Sequence, residues 1–295
     1  MDAAIEITQL QKKFKGFELS VQKLSVPKGF ATALIGENGA GKTTLLNILA
    51  GIRLDYKGEV NYFDEKENDV EKVKGQLGYT GSGLFFLPQW TIRQVGEVGQ
   101  LLYDDFDVER FEKYCSELGV TAREKKSKQV GDLSDGNRMK LVIATAFSRD
   151  TRCLLMDEPA SPLDPLMRDD LCNLIRTYLE EGDGEKSVLF STHNISDMES
   201  VTDYAIIMAE GEVVEQGFVE DLKNKYILVK GNPQDSEQAK QILYTFNSSS
   251  YGFEGICLAG NLDRLAGMDV SMEIPSLHQI SVAVMKHYAT LQNTR

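Results

Sequence analysis

Apolar and polar residues alternate in several parts of the first 65 positions. The segments IEITQL, FELSVQKL and EVNYF follow this period of two, which predicts strands of an antiparallel sheet. Before the third of them lies ATALIGENGAGKTTLLNILAG, where an apolar run leads into a glycine-rich stretch and then into residues at helical spacing. This segment predicts a strand, a loop and a helix in direct succession.

The middle of the chain, about residues 85–150, is predicted to be mostly helical. Asp107 is a predicted N-cap of the helix DVERFEKYCSELGV, and Ser134 a predicted N-cap at the start of LSDGNRMK. The free backbone N–H groups of such a helix end attract anions. The first of these helices has four apolar residues on one face, namely Val108, Phe111, Cys115 and Leu118.

Two short apolar runs, CLLMDEP and SVLFSTH, lie on either side of a predicted helix that begins near Pro165. Apolar runs that alternate with helices are typical of buried parallel strands. YAIIMAEGEVVEQG then predicts a hairpin that turns at Glu210-Gly211. The fold class predicted is therefore α/β, in a main domain over residues 1–225.

Residues 226–295 are predicted to form a small α+β appendage. YILVKG, GICLAG and VSMEI predict strands, and helices are expected over about Glu237–Tyr244 and from about Ser276. No chemical motif is recognised there. His278 and His287 lie in the last predicted helix, where we expect solvated surface positions and not metal ligands.

Charge and composition narrow the possible functions. The net charge is −13 over 295 residues, which argues against binding to nucleic acid or to anionic lipid. No apolar run approaches the ~18 residues of a membrane span, and the acidic N-terminus does not resemble a signal peptide. Any membrane role is therefore expected to act through a partner subunit. The four cysteines lack metal-ligand spacing and are predicted to be reduced residues of a cytosolic protein.

The stretch from Gly36 to Thr43 fits the pattern G-x-x-x-x-G-K-[ST] between a predicted strand and a predicted helix. Glycines let backbone N–H groups turn toward a β-phosphate, Lys42 can bridge the β- and γ-phosphates, and the Thr43 hydroxyl can bind Mg²⁺. The sequence thus predicts a nucleotide site.

Two acidic residues follow the apolar run CLLM, and they complete the predicted site. Asp157 is expected beside the metal and Glu158 beside the attacking water. His193 follows the next buried strand and is placed to contact the γ-phosphate from a second side. Alone, an apolar run with two acids is a weak pattern, and a histidine after a strand is usually structural.

Together these motifs resemble the ATP-binding subunit of ABC transporters, over roughly residues 3–225. GENGAGKTT is similar to the family's Walker A motif, CLLMDE to Walker B, LSDGNRMK to the signature, SPLD at 161–164 to the D-loop, and His193 to the H-loop histidine. The resemblance implies a P-loop NTPase fold of ABC type, with an antiparallel β subdomain and a helical subdomain at about 85–150.

The resemblance also implies a set of roles. Glu158, His193 and Lys42 would be catalytic, Thr43 and Asp157 would hold Mg²⁺, and Phe14 would stack on adenine. Two copies would dimerise head to tail, so that the signature of one caps the ATP held by the other. The nucleotide-binding residues implied, besides Phe14, are Gly36, Asn38, Gly39, Ala40, Gly41, Lys42, Thr43, Thr44, Ser134 and Gly136.

The sequence departs from the family at the Q-loop. Gly78-Tyr79-Thr80-Gly81 is followed by Ser82 where the family has glutamine, and Ser82 is a predicted weak metal ligand. The same segment is rich in apolar residues, which either line the groove for a membrane subunit or belong to the core of the helical subdomain. They are Leu84, Phe85, Phe86, Leu87 and Trp90.

The function predicted is that of an ATPase subunit on the cytoplasmic face of the cell membrane, bound to a transmembrane permease subunit and to a second ATP-binding subunit. The signature form and the C-terminal extension most resemble bacterial exporters of peptides and antimicrobial compounds. Two alternatives stay open. One is a weakly hydrolysing nucleotide switch within a heterodimer, and the other is a soluble ABC-type ATPase that acts on DNA or ribosomes.

Overall fold

The predicted strands and helices are present in a computed structural model, which describes residues 2–63, 70–81, 83, 85–120 and 129–292. In chain order the strands are β1 (Ala3–Phe14), β2 (Phe17–Pro27), β3 (Ala31–Gly36), β4 (Lys57–Tyr62), β5 (Leu77–Thr80), β6 (Cys153–Met156), β7 (Ser187–Thr192), β8 (Tyr204–Ala209), β9 (Glu212–Phe218), β10 (Tyr226–Gly231), β11 (Asn247–Ser249), β12 (Gly252–Leu258) and β13 (Val270–Glu273). The helices are α1 (Lys42–Leu49), α2 (Val70–Gly75), α3 (Ile92–Leu102), α4 (Val108–Glu117), α5 (Asp135–Phe147), α6 (Pro165–Glu181), α7 (Val219–Lys225), α8 (Ser236–Ala239) and α9 (Leu277–Gln292).

A six-stranded sheet in the order β5-β6-β7-β3-β8-β9 lies at the centre of the fold. Its strands are parallel except β9, which forms the predicted hairpin with β8 through Glu210 and Gly211. Successive side chains on β6 point to opposite faces of the sheet, and each face has its own hydrophobic core. Leu154 and Met156 belong to the main core, whereas Cys153 and Leu155 belong to the second core. Burial on both faces explains why these strands are continuous apolar runs.

The other two sheets are antiparallel. Strands β2, β1 and β4 form the N-terminal sheet that the alternating pattern predicts, and its buried residues close the second core over α1. Strands β11, β12, β10 and β13 form a four-stranded sheet that begins at Tyr226. Val229, Phe253 and Cys257 form part of a small third core beneath it.

The predicted cap at Asp107 and the predicted helix start near Pro165 are both present. Asp107 accepts a hydrogen bond from the Arg110 backbone N–H at 2.9 Å, and α6 starts with Asp164 as its cap and Pro165 in its first turn. Both arrangements satisfy N–H groups that have no partner inside a helix. All four cysteines are free and buried, and burial raises the pKa of Cys115 and of Cys153 to about 12.

Two details of residues 226–292 differ from expectation. The helix expected over Glu237–Tyr244 ends at Ala239. The chain leaves the helical path there because the Tyr244 backbone N–H donates a hydrogen bond to the carbonyl of Ile256 on β12, at 2.7 Å. His287 is half-buried and not fully solvated, because its ring stacks on Tyr244 with centroids 3.8 Å apart. His278 is exposed, as expected.

The last helix connects the C-terminal sheet to the main core. Leu277, Ile280, Ala283 and Val284 on α9 are buried among the main-core residues. The N-terminal end of α9 is fixed by the Leu277 backbone N–H, which donates to Glu199 at 3.0 Å. Residues 226–292 are therefore joined to the main core by packing. Within the described ranges, no helix is long and apolar enough to cross a membrane.

Candidate functional site

The glycine-rich loop joins β3 to α1, as predicted. Gly36 ends β3 and Lys42 begins α1. Gly39 and Gly41 have φ angles of 89° and 101°, a region that side chains disfavour, so glycine is required there. No side chain caps α1, and its first backbone N–H groups are available to an anion. Asn38 and Gly39 are exposed and Ala40 is buried, which leaves the loop open toward a nucleotide.

Lys42 lies folded beneath this loop. Its side chain is 5% exposed, and its ammonium donates to the carbonyls of Gly36 at 2.7 Å and Glu37 at 3.2 Å. The same Nζ lies 3.4 Å from Glu158 Oε1. A buried cation at the start of a helix reinforces the positive end of the helix dipole, so the loop and Lys42 together fit a polyphosphate.

Thr43 and Asp157 meet where β3 and β6 end. The Thr43 hydroxyl donates to Asp157, with distances of 2.9 Å to Oδ2 and 3.1 Å to Oδ1. A hydroxyl beside a carboxylate supplies the hard oxygen ligands that Mg²⁺ prefers. The pair therefore fits the predicted metal, which would be held beside the phosphates bound by the loop. Thr44, the next residue of α1, is partly buried.

Glu158 connects the acidic strand end to His193. Its backbone is left-handed, with φ 49°, and its Oε2 lies 2.8 Å from His193 Nδ1. Because an ionised carboxylate only accepts hydrogen bonds, this contact requires Nδ1 to carry the hydrogen. The Nε2 atom of His193 is then the ring nitrogen left for a reacting phosphate. The predicted catalytic residues Lys42, Glu158 and His193 thus form one cluster.

Sequence reasoning did not identify Ser191, which belongs to the same cluster. Its hydroxyl donates to Asp157 Oδ1 at 2.6 Å and accepts from the Glu158 backbone N–H at 2.9 Å. The residue is fully buried. One signal was available: Ser191 lies two residues before His193, at the end of the strand that pairs with β6.

The predicted Q-loop is only partly described. Ser82, the expected weak metal ligand, lies outside the described residues, as does Leu84. The residues before it approach the site, since the Thr80 carbonyl accepts the Asp157 backbone N–H at 2.8 Å. Burial, and then the charge of Asp157, raises the pKa of Tyr79 to about 12, and its hydroxyl donates to Asn47 at 3.0 Å.

The signature helix is formed as predicted, and its contacts are separate from those of the Lys42 cluster. Ser134 caps α5 by accepting from the Asn137 backbone N–H at 3.3 Å. Asp135 pairs with Arg138 at 3.1 Å, and Gly136 packs so closely on the Pro162 carbonyl that a Cβ would lie 2.8 Å from it. Among the described residues, the side chains of Lys42, Asp157, Glu158 and His193 make no hydrogen bond to Ser134.

A cleft of about 720 Å³ separates the glycine-rich loop from α9. Residues 37–40 line one wall, and Met285 and Lys286 line the other. Tyr288, also in the lining, donates its hydroxyl to Glu212 at 3.0 Å. The C-terminal helix therefore flanks the predicted nucleotide site.

Phe14 stands at the end of β1 with its side chain accessible. The residue is 38% exposed, its ring centroid lies 6.1 Å from that of Phe17, and Arg53 lies 5.2 Å from the ring centroid. An accessible ring can stack on a base, but Phe14 is not among the residues that line the cleft beside the glycine-rich loop, whereas Phe17 is, so stacking by Phe14 stays a prediction.

Replacing Phe14 by alanine is expected to weaken ATP binding, since stacking on one base contributes roughly 1–3 kcal/mol. The dissociation constant should rise about 5- to 150-fold. Titration with a fluorescent ATP analogue would measure it, and Phe14→Tyr, which retains an aromatic face, is the matched control. Equal affinities for the alanine variant and the wild type would contradict the stacking role.

Comparison with known proteins identifies the family. A family model described as "ABC transporter" matches residues 19–161. The uncharacterized ABC transporter ATP-binding protein YxlF of Bacillus subtilis is 30% identical, over 75% of this chain and 73% of its own length. TupC of Peptoclostridium acidaminophilum, a tungstate uptake system ATP-binding protein, is 29% identical over 72% of this chain and 97% of its own length. The chain belongs to the family of ABC transporter ATP-binding proteins, which are ATPases.

Solved structures support the fold. A dimeric ATP-binding cassette bound to ADP and phosphate in a post-hydrolysis state has a TM-score of 0.60 and 20% identity, and the match covers 72% of this chain and 98% of that one.

Some relatives in sequence are longer than this chain. The chain spans 61% of the length of an uncharacterized ABC transporter ATP-binding protein of Synechocystis and 14% of the length of human ATP-binding cassette sub-family A member 9.

Proposed function

We propose that the chain is the motor subunit of a transporter and hydrolyses ATP at an interface between two ATP-binding subunits. The observation that carries the proposal is the position of Glu158, whose carboxylate contacts His193 at 2.8 Å and Lys42 at 3.4 Å. The Glu158 carboxylate lies between a cation and a histidine, next to the Thr43–Asp157 pair that would hold Mg²⁺. A carboxylate in this position is suited to activate water beside a γ-phosphate.

Each residue of the cluster has a defined task in this proposal. Lys42 and the first N–H groups of α1 bind the phosphates, and Thr43 with Asp157 would hold Mg²⁺. Bound Mg²⁺ would neutralise charge on the phosphate oxygens. Glu158 would accept a proton from water. His193 donates Nδ1–H to Glu158, and in its imidazolium form it would donate Nε2–H as well and so stabilise charge on the phosphate.

The second subunit completes the site in this proposal. Ser134 caps the start of α5, whose first N–H groups favour an anion, and within its own chain the Ser134 side chain bonds only to the Asn137 backbone among the described residues. A second copy, or a related subunit, would supply that helix end from the other side. The dimeric cassette with ADP and phosphate supports this arrangement by its similar fold. Closure around ATP and opening after hydrolysis would then transmit movement to a permease.

The permease is proposed to bind the apolar surface between residues 85 and 103. Phe86 and Trp90 pack against the main core, which favours a structural role for these two residues. In contrast, Leu87 is 48% and Leu102 69% exposed. Phe85 and Leu102 line a pocket of about 160 Å³, and exposed apolar residues around a pocket are typical of a helix-binding groove.

Replacing Leu87 and Leu102 together by alanine is expected to weaken binding to the membrane subunit without lowering basal ATP hydrolysis. Each removed side chain contributes about 1–2 kcal/mol at an interface, so affinity should fall roughly 30-fold or more. Co-purification from native membranes and phosphate release by the isolated subunit give the two readouts. Tyr251→Ala, at a position 91% exposed in the C-terminal sheet, is the control. Loss of basal hydrolysis together with loss of permease binding would instead indicate that the two substitutions disturb the fold, and would contradict a role confined to permease binding.

Export of peptides or antimicrobial compounds is the finer proposal. Its support is the form of the signature, Ser134-x-Gly136 with Lys140, and the extension after residue 225. TupC is named for an uptake system, so the names of the relatives do not favour one direction. Purifying the permease with this subunit and measuring ATP-driven peptide flux in inside-out vesicles tests the proposal. Inward accumulation would support export, and ATP-driven efflux would contradict it.

A further inference from the structure

We infer that Ser191 is a positioning residue of the ATPase site, which holds both the metal-binding Asp157 and the catalytic Glu158 through one hydroxyl. The inference rests on the ATPase function proposed above. It extends that function to a residue on the strand before His193. The two carboxylates follow each other in the chain, and Ser191 is bonded to both residues.

The direction of the two hydrogen bonds follows from their chemistry. The Glu158 backbone N–H can only donate, so the Ser191 oxygen must accept from it at 2.9 Å. An ionised Asp157 can only accept, so the single hydroxyl hydrogen must go to its Oδ1, at 2.6 Å. The hydroxyl thus has one available arrangement, and because Ser191 is fully buried, water does not compete for it.

The bond to Asp157 sets how that carboxylate faces Thr43. Ser191 occupies Oδ1 at 2.6 Å, and the Thr43 hydroxyl lies closer to Oδ2, at 2.9 Å, than to Oδ1. Side chains that bond to a metal-binding carboxylate orient it, and their removal typically costs about 10–100-fold in metal affinity or activity. Ser191 therefore keeps Oδ2 directed toward the position that Mg²⁺ would share with Thr43.

The bond to Glu158 holds an unfavourable backbone conformation. A φ of 49° at a residue with a long side chain is unfavourable and persists only where neighbours enforce it. Two hydrogen bonds do so here: the Glu158 N–H to Ser191 at 2.9 Å, and the Ser161 N–H to the Glu158 carbonyl at 3.2 Å. This conformation directs the Glu158 side chain to His193 and Lys42.

The chain offers a matched control for a buried hydroxyl that positions nothing. Thr32 lies on β3, the strand next to β7, and is fully buried. Its hydroxyl makes no hydrogen bond to any part of the chain that the structure describes. Thr32→Val therefore removes a buried hydroxyl from the same sheet without removing a contact to Asp157 or Glu158.

The test compares Ser191→Ala with Thr32→Val in the full chain. Three quantities are measured: kcat and KM for ATP, the affinity for a fluorescent ATP analogue with and without Mg²⁺, and the thermal midpoint. We expect Ser191→Ala to lower kcat about 10–100-fold and to reduce the gain in nucleotide affinity that Mg²⁺ provides. Binding of the analogue without Mg²⁺ should stay unchanged, since Lys42 and the loop do not contact Ser191. Thr32→Val should match the wild type in all nucleotide measurements.

A Ser191→Ala protein with wild-type kcat and a wild-type Mg²⁺ effect would overturn the inference, whatever its thermal midpoint. If that variant does not fold, Ser191→Cys decides, because the thiol fills the site but makes weaker hydrogen bonds; a wild-type rate and Mg²⁺ effect would again overturn it. Failure of the proposed function is separate, since it would show as absent hydrolysis in the wild type. The Mg²⁺-dependent binding measurement would still decide the role of Ser191.

Discussion

Replacing Glu158 by glutamine is expected to abolish most ATP hydrolysis while leaving ATP binding intact. Glutamine has nearly the same size, but its amide cannot take up a proton from water. A positioned general base contributes about 100- to 10,000-fold to a rate, so phosphate release should fall by that factor. The groups that bind nucleotide, Lys42 and the Thr43–Asp157 pair, are unchanged. Phosphate release and equilibrium binding of a fluorescent ATP analogue measure the two properties separately.

The same substitution should also trap a dimer, because the γ-phosphate that joins the two subunits is no longer removed. Light scattering with ATP should give twice the monomer mass for Glu158→Gln, and the monomer should return when ATP is withdrawn. Glu181→Gln is the control, since Glu181 pairs with Arg110 in an exposed ion pair away from the cluster. Normal hydrolysis by Glu158→Gln would contradict the proposed role of Glu158 as the base that activates water.

Much of the site could be predicted because its parts are short segments of contiguous sequence. The glycine-rich loop needs glycine where φ is positive, at Gly39 and Gly41, so the conformation is visible in the residue types. Asp157 and His193 follow neighbouring parallel strands, β6 and β7. The ends of parallel strands meet at one edge of a sheet, which is why residues 36 positions apart lie in one cluster.

The features that were not predicted depend on contacts between distant segments. The pattern after Asp235 fits a helix, but pairing of Tyr244 with Ile256 ends it. His287 looks like a surface residue until Tyr244 is brought against its ring. Ser191 belongs to an apolar strand, and only the register of β6 with β7 reveals that its hydroxyl faces Asp157. The contacts of Tyr244 leave no local signal in a single sequence, and for Ser191 the local signal is only its position two residues before His193.

Mixing two inactive variants, Lys42→Ala and Ser134→Asp, is expected to restore ATP hydrolysis. Loss of Lys42 removes the ammonium from the phosphates, and a carboxylate at position 134 would repel the γ-phosphate held by the other subunit. Aspartate is also a good N-cap, so α5 should remain formed. Random pairing makes half of the dimers mixed, each with one intact site of two, so the mixture should reach about a quarter of the wild-type rate. Phosphate release from each variant alone and from the mixture provides the measurement.

Ser134→Asn is the control for this experiment, because asparagine also caps the helix but carries no charge. Ser134→Asn should hydrolyse ATP faster than Ser134→Asp. Mixing Ser134→Asn with the wild type should not lower the rate of ATP hydrolysis, because asparagine does not repel the γ-phosphate. Where the wild type alone hydrolyses ATP as a dimer of this chain, a mixture that stays inactive, or a Ser134→Asp protein that hydrolyses ATP normally, would contradict a signature that acts on the partner's nucleotide. Recovery, in contrast, has only one source. Each variant chain carries one defective element, so an intact site can form only where the Lys42 cluster of one subunit meets the signature helix of the other.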